Sequence, residues 1–150
     1  MVIMIENRQK EISINLQRVR RSLKKILQIL DCDSKEISLL IVDDDNMREI
    51  NRHYLGRDYP TNVISFSLSE GEFGNINPHV LGDIIISAET ALRDAQEAEI
   101  TFDDEVDFLL IHGLLHLLDY NHENVSHEEI EKMKKKEHDI FFQLKGYRIE

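Results

Sequence analysis

The sequence predicts an α+β fold in a single domain spanning residues 1–150. Three observations lead to this prediction. The length suits one domain, no Pro-, Gly- or Ser-rich linker divides the chain, and strand-like and helix-like patterns are mixed without strict alternation. We therefore expect a small mixed β-sheet with helices packed on it.

The first part of the chain predicts a strand, a helix and a second strand. Val2–Ile5 is a short β-type run. Over Ile12–Leu30, apolar residues recur at helical spacing, which predicts an amphipathic helix. Its polar positions form the densest basic run of the chain, namely Arg18, Arg20, Arg21, Lys24 and Lys25. Glu36–Val42 is rich in Ile, Leu and Val and predicts a strand buried on both faces.

The middle of the chain predicts a short helix followed by two strands. Three consecutive aspartates starting at Asp43 offer N-caps for a helix that runs to about His53. Gly56 and Pro60 then interrupt the helical pattern. Beyond them, β-type runs predict strands at Asn62–Leu68 and Val80–Ser87.

The last part of the chain predicts three helices. Ser87 can cap the first, which runs to about Glu97, and the second begins after Thr101. This second helix is apolar on most faces, which favours a position at the centre of the domain. Ser126 opens a capping box for the last helix, which Gly146 ends.

Composition excludes some classes of function. The chain has 18 Lys+Arg against 29 Asp+Glu, a formal charge of −11, which argues against a protein that coats duplex DNA. A nucleic acid bound at one local site stays possible. Cys32 is the only cysteine, which is typical of a reducing compartment. We expect a cytoplasmic protein with no membrane partner and no DNA partner.

Three histidines on and just after the central apolar helix are the strongest functional signal. His112 and His116 are four residues apart and share one helix face, and His122 follows after residues that favour leaving a helix. Three imidazoles with a fourth position open describe a catalytic zinc site, which predicts one Zn²⁺ per chain. The alternative is that the imidazoles serve packing alone, but burying them among leucines without partners is costly.

The same spacing occurs in metzincin peptidases, whose signature is H-E-x-x-H-x-x-G-x-x-H. Here Gly113 occupies the position of the glutamate that acts as general base. Glycine cannot accept a proton, which argues against a peptidase of that mechanism. The three histidines of the signature are nevertheless present in this sequence. A metallohydrolase of another substrate class remains one alternative function.

Three segments in order, spanning about Asn51 to His122, resemble the YbeY family. His112–His122 resembles its H-G-x-L-H-L-x-G-Y-D-H signature, Asp58–Phe66 its D-x-P-T-D-V-L-S-F segment, and Leu81–Ser87 its L-G-D-I block. The resemblance implies a metal-dependent endoribonuclease that is specific for single strands. It also implies a role in rRNA maturation, at the 3′ end of small-subunit rRNA, and in ribosome quality control. It also implies partners in the small ribosomal subunit and among its assembly factors, and it makes residues 1–150 a YbeY-like metallohydrolase domain.

The chain departs from the family pattern at a few positions. Leu55 stands where the family has a functional arginine, and the family usually has aspartate where this chain has Asn62. It usually has Gly and Asp where this chain has Asp119 and Asn121. Arg57, or Arg52 one helical turn back, is a candidate to replace the missing arginine.

The candidate site residues follow from these observations. The metal ligands are His112, His116 and His122, of which His112 and His116 are also catalytic through the metal; Arg57 is a candidate catalytic residue; and Arg48, Arg52 and Arg57 are candidate RNA contacts. The basic run Arg18–Lys25 is a second candidate surface, and Ser65 is a candidate residue of the metal cleft. The other alternative function is a non-catalytic, ribosome-associated factor in which zinc is structural.

Overall fold

The computed structural model describes residues 2–67, 79–118 and 126–149. Within these ranges the chain forms one four-stranded sheet and five helices, which confirms the α+β prediction. The elements in chain order are β1 Val2–Asn7, α1 Leu16–Ile29, β2 Glu36–Val42, α2 Asp44–Leu55, β3 Val63–Ser67, β4 Val80–Ser87, α3 Ala88–Ala98, α4 Phe102–Leu117 and α5 His127–Lys145.

The sheet is mixed, with the strand order β1-β2-β4-β3. β1, β2 and β4 run parallel, and β3 pairs antiparallel with β4 at one edge. In β2, Ile37, Leu39 and Ile41 are buried in the main core, whereas the opposite face is partly covered. That second face holds a small apolar cluster of Val42, Met47, Ile64 and Ile85. The prediction that β2 is buried on both faces therefore holds only in part.

Capping side chains mark the start of each helix, as the sequence predicts for Asp43, Ser87 and Ser126. The side chains of Asn15, Asp43, Ser87, Thr101 and Ser126 each accept an N–H from the first turn of the following helix. Only α1 begins later than its apolar pattern predicts. The buried amide of Gln9 donates to the Ile12 carbonyl at 2.8 Å and accepts from the Ile12 N–H at 2.9 Å, which holds this segment outside the helix.

Helix α4 lies at the centre, as its apolar sequence predicts. It packs against β3 and β4 on one side and against α1, α3 and α5 on the others. Gly113 lies where α4 packs against β3 and β4. A Cβ at this position would lie 3.1 Å from Ile84 Cδ1 and 3.1 Å from Ser65 Oγ. The glycine therefore lets the histidine-bearing part of α4 pack directly on β3 and β4.

Near the start of α4, the buried carboxyl group of Glu105 lies beside another acidic residue. It is 9% exposed, and Asp94 of α3 is its charged neighbour. Asp94 in turn accepts a hydrogen bond from the Asn62 amide at 3.0 Å. Burial, with a smaller contribution from Asp94, raises the pKa of Glu105 to about 7.

This pKa predicts how Glu105→Gln changes stability with pH. Below about pH 4 the carboxyl is protonated in both the folded and unfolded states, so the free energy of unfolding depends little on its ionisation. Between about pH 4.5 and 7 the Glu105 carboxyl ionises only in the unfolded state. Over this range the free energy of unfolding of the wild type falls by up to about 3 kcal/mol, whereas that of the glutamine variant does not. Urea unfolding at pH 4, 6 and 8 measures this difference.

The exposed Glu97→Gln provides the control for that measurement, since Glu97 lies on the outer side of the neighbouring helix α3. It should follow the wild type at all three pH values. A Glu105→Gln variant that also follows the wild type would mean that Glu105 is ionised in the folded protein at neutral pH.

Candidate metal centre

His112 and His116 lie one turn apart on α4, as predicted, and both are partly buried. Their rings meet at a centroid distance of 4.5 Å, and their Nε2 atoms are 3.0 Å apart. Two nitrogens that both bind zinc at about 2.0–2.1 Å in tetrahedral geometry are about 3.3 Å apart. The separation of the two Nε2 atoms is therefore close to that of two nitrogens on one zinc ion.

Glu137 of α5 fixes the orientation of the first ring. Its Oε1 lies 3.1 Å from His112 Nδ1, and its side chain is 5% exposed. When Nδ1 carries the proton and donates it to this carboxylate, Nε2 keeps its lone pair for a metal. A carboxylate behind a ligating histidine is the usual second partner in zinc sites. The donor set therefore fits a zinc ion.

Glu137 is not among the predicted site residues, although the apolar spacing of α5 points to it. The buried face of α5 consists of Met133, Glu137, Ile140 and Phe141, so a glutamate occupies a position that helical spacing assigns to an apolar residue. A buried carboxylate needs a partner, and His112 provides it. The partner lies 25 residues away in sequence, and only the packing of α5 on α4 brings the two together.

The third predicted ligand, His122, lies outside the described residues, as do Asp119 and Asn121. Among residues 2–67, 79–118 and 126–149, no group of three or more His, Cys, Asp or Glu side chains is arranged to hold a metal ion. The described part of the site is therefore the pair His112 and His116 with its carboxylate Glu137.

Gly113 separates this site from that of a metzincin peptidase. A Cβ at this position would lie 3.1 Å from side-chain atoms of both Ile84 and Ser65, so a glutamate would fit only if these two side chains shifted. Ser65 donates a hydrogen bond to the Gly113 carbonyl at 3.1 Å, which ties β3 to α4 beside His112. Ser65, predicted as a possible residue of the metal cleft, thus has a structural partner in the helix.

The candidate RNA-binding arginines lie on α2 and in the loop after it. Arg48 makes two hydrogen bonds to Asp58, at 2.8 and 3.1 Å, and these lower the pKa of Asp58. Arg52 pairs with Glu49 at 2.9 Å. Arg57 is exposed, and within the described ranges its side chain makes no ion pair. Within the described part of the chain, the ion pairs of Arg48 and Arg52 are to Asp58 and Glu49 and not to the histidine pair.

Two further observations bear on the sequence predictions. Leu55, at the position of the family arginine, is 46% exposed at the end of α2. In the described part of the chain, no helix is long and apolar enough to cross a membrane.

Comparisons with known proteins agree on one family. The family model described as Endoribonuclease YbeY matches residues 4–145. An endoribonuclease YbeY from Syntrophus aciditrophicus is 59% identical over 150 residues, covering 100% of this chain and 94% of its own. Another, from Geobacter sulfurreducens, is 48% identical over 146 residues and covers 97% of both chains.

A solved structure shows the same fold. The solution structure of protein TM1509 from Thermotoga maritima superimposes with a TM-score of 0.62 at 26% sequence identity. The match covers 97% of this chain and 93% of that chain. Since the family model and these relatives cover almost the whole sequence, the chain belongs to the endoribonuclease YbeY family.

Proposed function

We propose that this protein is a zinc-dependent endoribonuclease that hydrolyses phosphodiester bonds in single-stranded RNA, with His112, His116 and His122 as the ligands of one Zn²⁺ per chain. The observation that carries the proposal is the convergence of two imidazoles at 3.0 Å beside a buried carboxylate. Family membership supports the RNA substrate, since the relatives are named endoribonucleases.

Side chains of this protein fix the geometry of the proposed metal site before substrate binds. Glu137 holds the ring of His112 in one orientation, and the close packing at Gly113 fixes the helix backbone between the two ligands. When bound, a zinc ion supplies Lewis acidity toward a phosphoryl oxygen and lowers the pKa of water. A rigid donor set avoids reorganisation when the metal binds.

Arg57 is the arginine we propose to contact a substrate phosphate. Arg48 and Arg52 already neutralise Asp58 and Glu49, so their positive charge is partly offset. Arg57 has no such carboxylate in the described part of the chain, and it follows Leu55, the position of the family arginine, by two residues. An exposed guanidinium can bind phosphate in a bidentate manner. In this proposal Arg48 and Arg52 act as secondary contacts.

One assay tests the proposed function. Purified protein is incubated with single-stranded RNA, duplex RNA and casein, with and without a zinc chelator. We expect cleavage of single-stranded RNA alone, and its loss with the chelator. Cleavage of casein would indicate a peptidase, and stoichiometric zinc without cleavage of any substrate would indicate a structural, ribosome-associated factor.

The cellular role follows from the same proposal. We propose that the substrate is rRNA, at the 3′ end of the small-subunit rRNA, and that small-subunit components and assembly factors bring the enzyme to it. A cytoplasmic location agrees with Cys32, which is a buried free thiol in this protein.

Glu137 provides a prediction about metal affinity. We expect Glu137→Ala to weaken zinc binding by about 10- to 100-fold, because His112 Nδ1 loses its acceptor and the ring loses its fixed orientation. Glu137→Gln should lose less, since the amide oxygen can still accept the Nδ1 proton. Competition with a fluorescent zinc chelator measures both constants.

Glu131→Ala is the matched control for this experiment. Glu131 lies on the same helix, is exposed, and pairs only with Lys134 at 3.7 Å in the described residues. Its zinc affinity should equal that of the wild type. If folded Glu137→Ala bound zinc as tightly as Glu131→Ala, the carboxylate would have no part in the site.

A further inference from the structure

Helices α1 and α5 line an open basic pocket that does not include the histidine pair. The pocket has a volume of about 350 Å³ and is lined by Arg18, Arg21, Ser22, Lys25, Leu144 and Lys145. Four of these six side chains are cationic, in a chain whose formal charge is −11. A concave site of this size suits a small ligand or one unit of a polymer. We use the term basic pocket for these six residues.

Part of the positive charge is already balanced by α4. The fully buried Asp107 accepts hydrogen bonds from Arg18 Nη1 at 3.0 and 3.2 Å and from Lys145 Nζ at 2.7 Å. Asp104 lies 3.1 Å from Lys145 Nζ as well. These contacts hold Arg18 and Lys145 in place along one side of the basic pocket.

The remaining charge is not balanced. Arg21 and Lys25 are exposed, and neither forms an ion pair in the part of the chain that the structure describes. Lys25 Nζ has only a long contact, 3.4 Å, to the Leu144 carbonyl. Two uncompensated cations one helical turn apart on the rim of a pocket favour an anionic ligand.

Arg18 itself is not fully satisfied. Its Nε and Nη2 are buried and donate no hydrogen bond within the described residues, although Nε lies 3.4 Å from an oxygen of Asp103. A buried donor without an acceptor destabilises the folded protein. An anion in the basic pocket would reduce this cost through its charge and, after a small shift of the guanidinium, by accepting a hydrogen bond.

We propose that the basic pocket binds a backbone phosphate of the RNA strand whose scissile bond lies at the histidine pair. This inference rests on the proposed function, because it takes the RNA substrate as the anion. Lys145 follows Glu137 by eight residues on α5, which is about 12 Å along the helix. The basic pocket therefore lies beyond the reach of the nucleotide being cleaved and would hold the strand at a second point.

The test compares the salt dependence of RNA binding in two variants of equal charge. The first is Arg21→Gln with Lys25→Gln. The matched control is Lys24→Gln with Lys135→Gln, since both lysines are exposed and neither lines the basic pocket. Affinity for a 20-nucleotide single-stranded RNA is measured by fluorescence anisotropy between about 50 and 300 mM salt.

We expect the pocket variant to bind about tenfold more weakly at the lowest salt. Its plot of log Kd against log salt should flatten by about 0.7, because the pocket is proposed to hold one phosphate and each phosphate contact to a single strand contributes about 0.7 to the slope. The control should keep the wild-type slope. In cleavage assays the pocket variant should show a raised KM and an unchanged kcat, since the basic pocket holds the strand away from the reacting atoms.

The outcomes separate this inference from the proposed function. Equal slopes for the two variants, with RNA cleavage intact, would overturn the basic pocket as an RNA site and leave the proposed function standing. A wild type that neither binds nor cleaves single-stranded RNA would overturn both. Thermal stabilisation of the wild type by inorganic phosphate, abolished in the pocket variant while RNA binding is unaffected, would assign the site to a free anion instead.

Discussion

Replacing His112 with alanine should remove both the zinc and the activity. The side chain contributes one of two nitrogens that lie 3.0 Å apart, and Glu137 orients it. Without it, two protein ligands at most remain of the proposed three, fewer than catalytic zinc sites use. We expect zinc content to fall from about one per chain to near zero and kcat/KM to fall by at least about 1,000-fold, or about 4 kcal/mol. Metal analysis of the purified protein and single-stranded RNA cleavage measure the two effects.

The control for this variant is His127→Ala. His127 is exposed at the start of α5 and has no place in the proposed ligand set. Circular dichroism shows whether His112→Ala still folds, which matters because the buried Glu137 loses its partner. A folded His112→Ala protein that kept stoichiometric zinc would refute the assignment of His112 as a ligand.

The local structure could be predicted from the sequence because its signals are local. β2 and β4 have the predicted bounds, Glu36–Val42 and Val80–Ser87. The capping side chains of Ser87 and Ser126 each accept from the residue three positions later, so no knowledge of the fold is needed to recognise them. The spacing of His112 and His116 is likewise a property of one helix, and the structure brings their rings together.

The tertiary arrangement could not be predicted in the same way. Glu137 and His112 are 25 residues apart, and Arg18 and Asp107 are 89 apart, so each pair depends on how separate helices pack. The strand order β1-β2-β4-β3 places β4 between strands that precede it in the chain, which apolar runs alone do not specify. The sequence marked the basic run of α1, but the other side of the pocket is formed by Leu144 and Lys145 of α5, more than 100 residues away in the chain.

Gly82 is a position where the sheet requires glycine, and substituting it should cause a large loss of stability. Its φ is +145°, a conformation that side-chain-bearing residues rarely adopt. A Cβ there would lie 2.1 Å from the carbonyl oxygen of Phe66 in β3, and 3.1 Å from Leu117 Cδ2. Because Gly82 pairs with Ser67 where β3 runs beside β4, the clash is with backbone and cannot be relieved by rotating a side chain.

We expect Gly82→Ala to lower the free energy of unfolding by at least about 3 kcal/mol, and thermal melting and urea titration measure the loss. Gly56→Ala is the matched control, since Gly56 also has a positive φ, +69°, but has no atom within 4 Å of the added Cβ. It should lose only about 1 kcal/mol, the conformational part of the cost. Equal losses in the two variants would show that β3 moves away freely.

The same variant connects the sheet to the metal centre. β3 carries Ser65, whose hydroxyl donates to the Gly113 carbonyl between the two histidines, and a Cβ at Gly82 would lie 3.1 Å from Leu117, the residue after His116. If Gly82→Ala folds but displaces β3, zinc affinity should fall together with stability, whereas Gly56→Ala should keep wild-type zinc affinity. A loss of stability at Gly82 without any loss of zinc affinity would mean that α4 holds its histidines without support from the sheet edge.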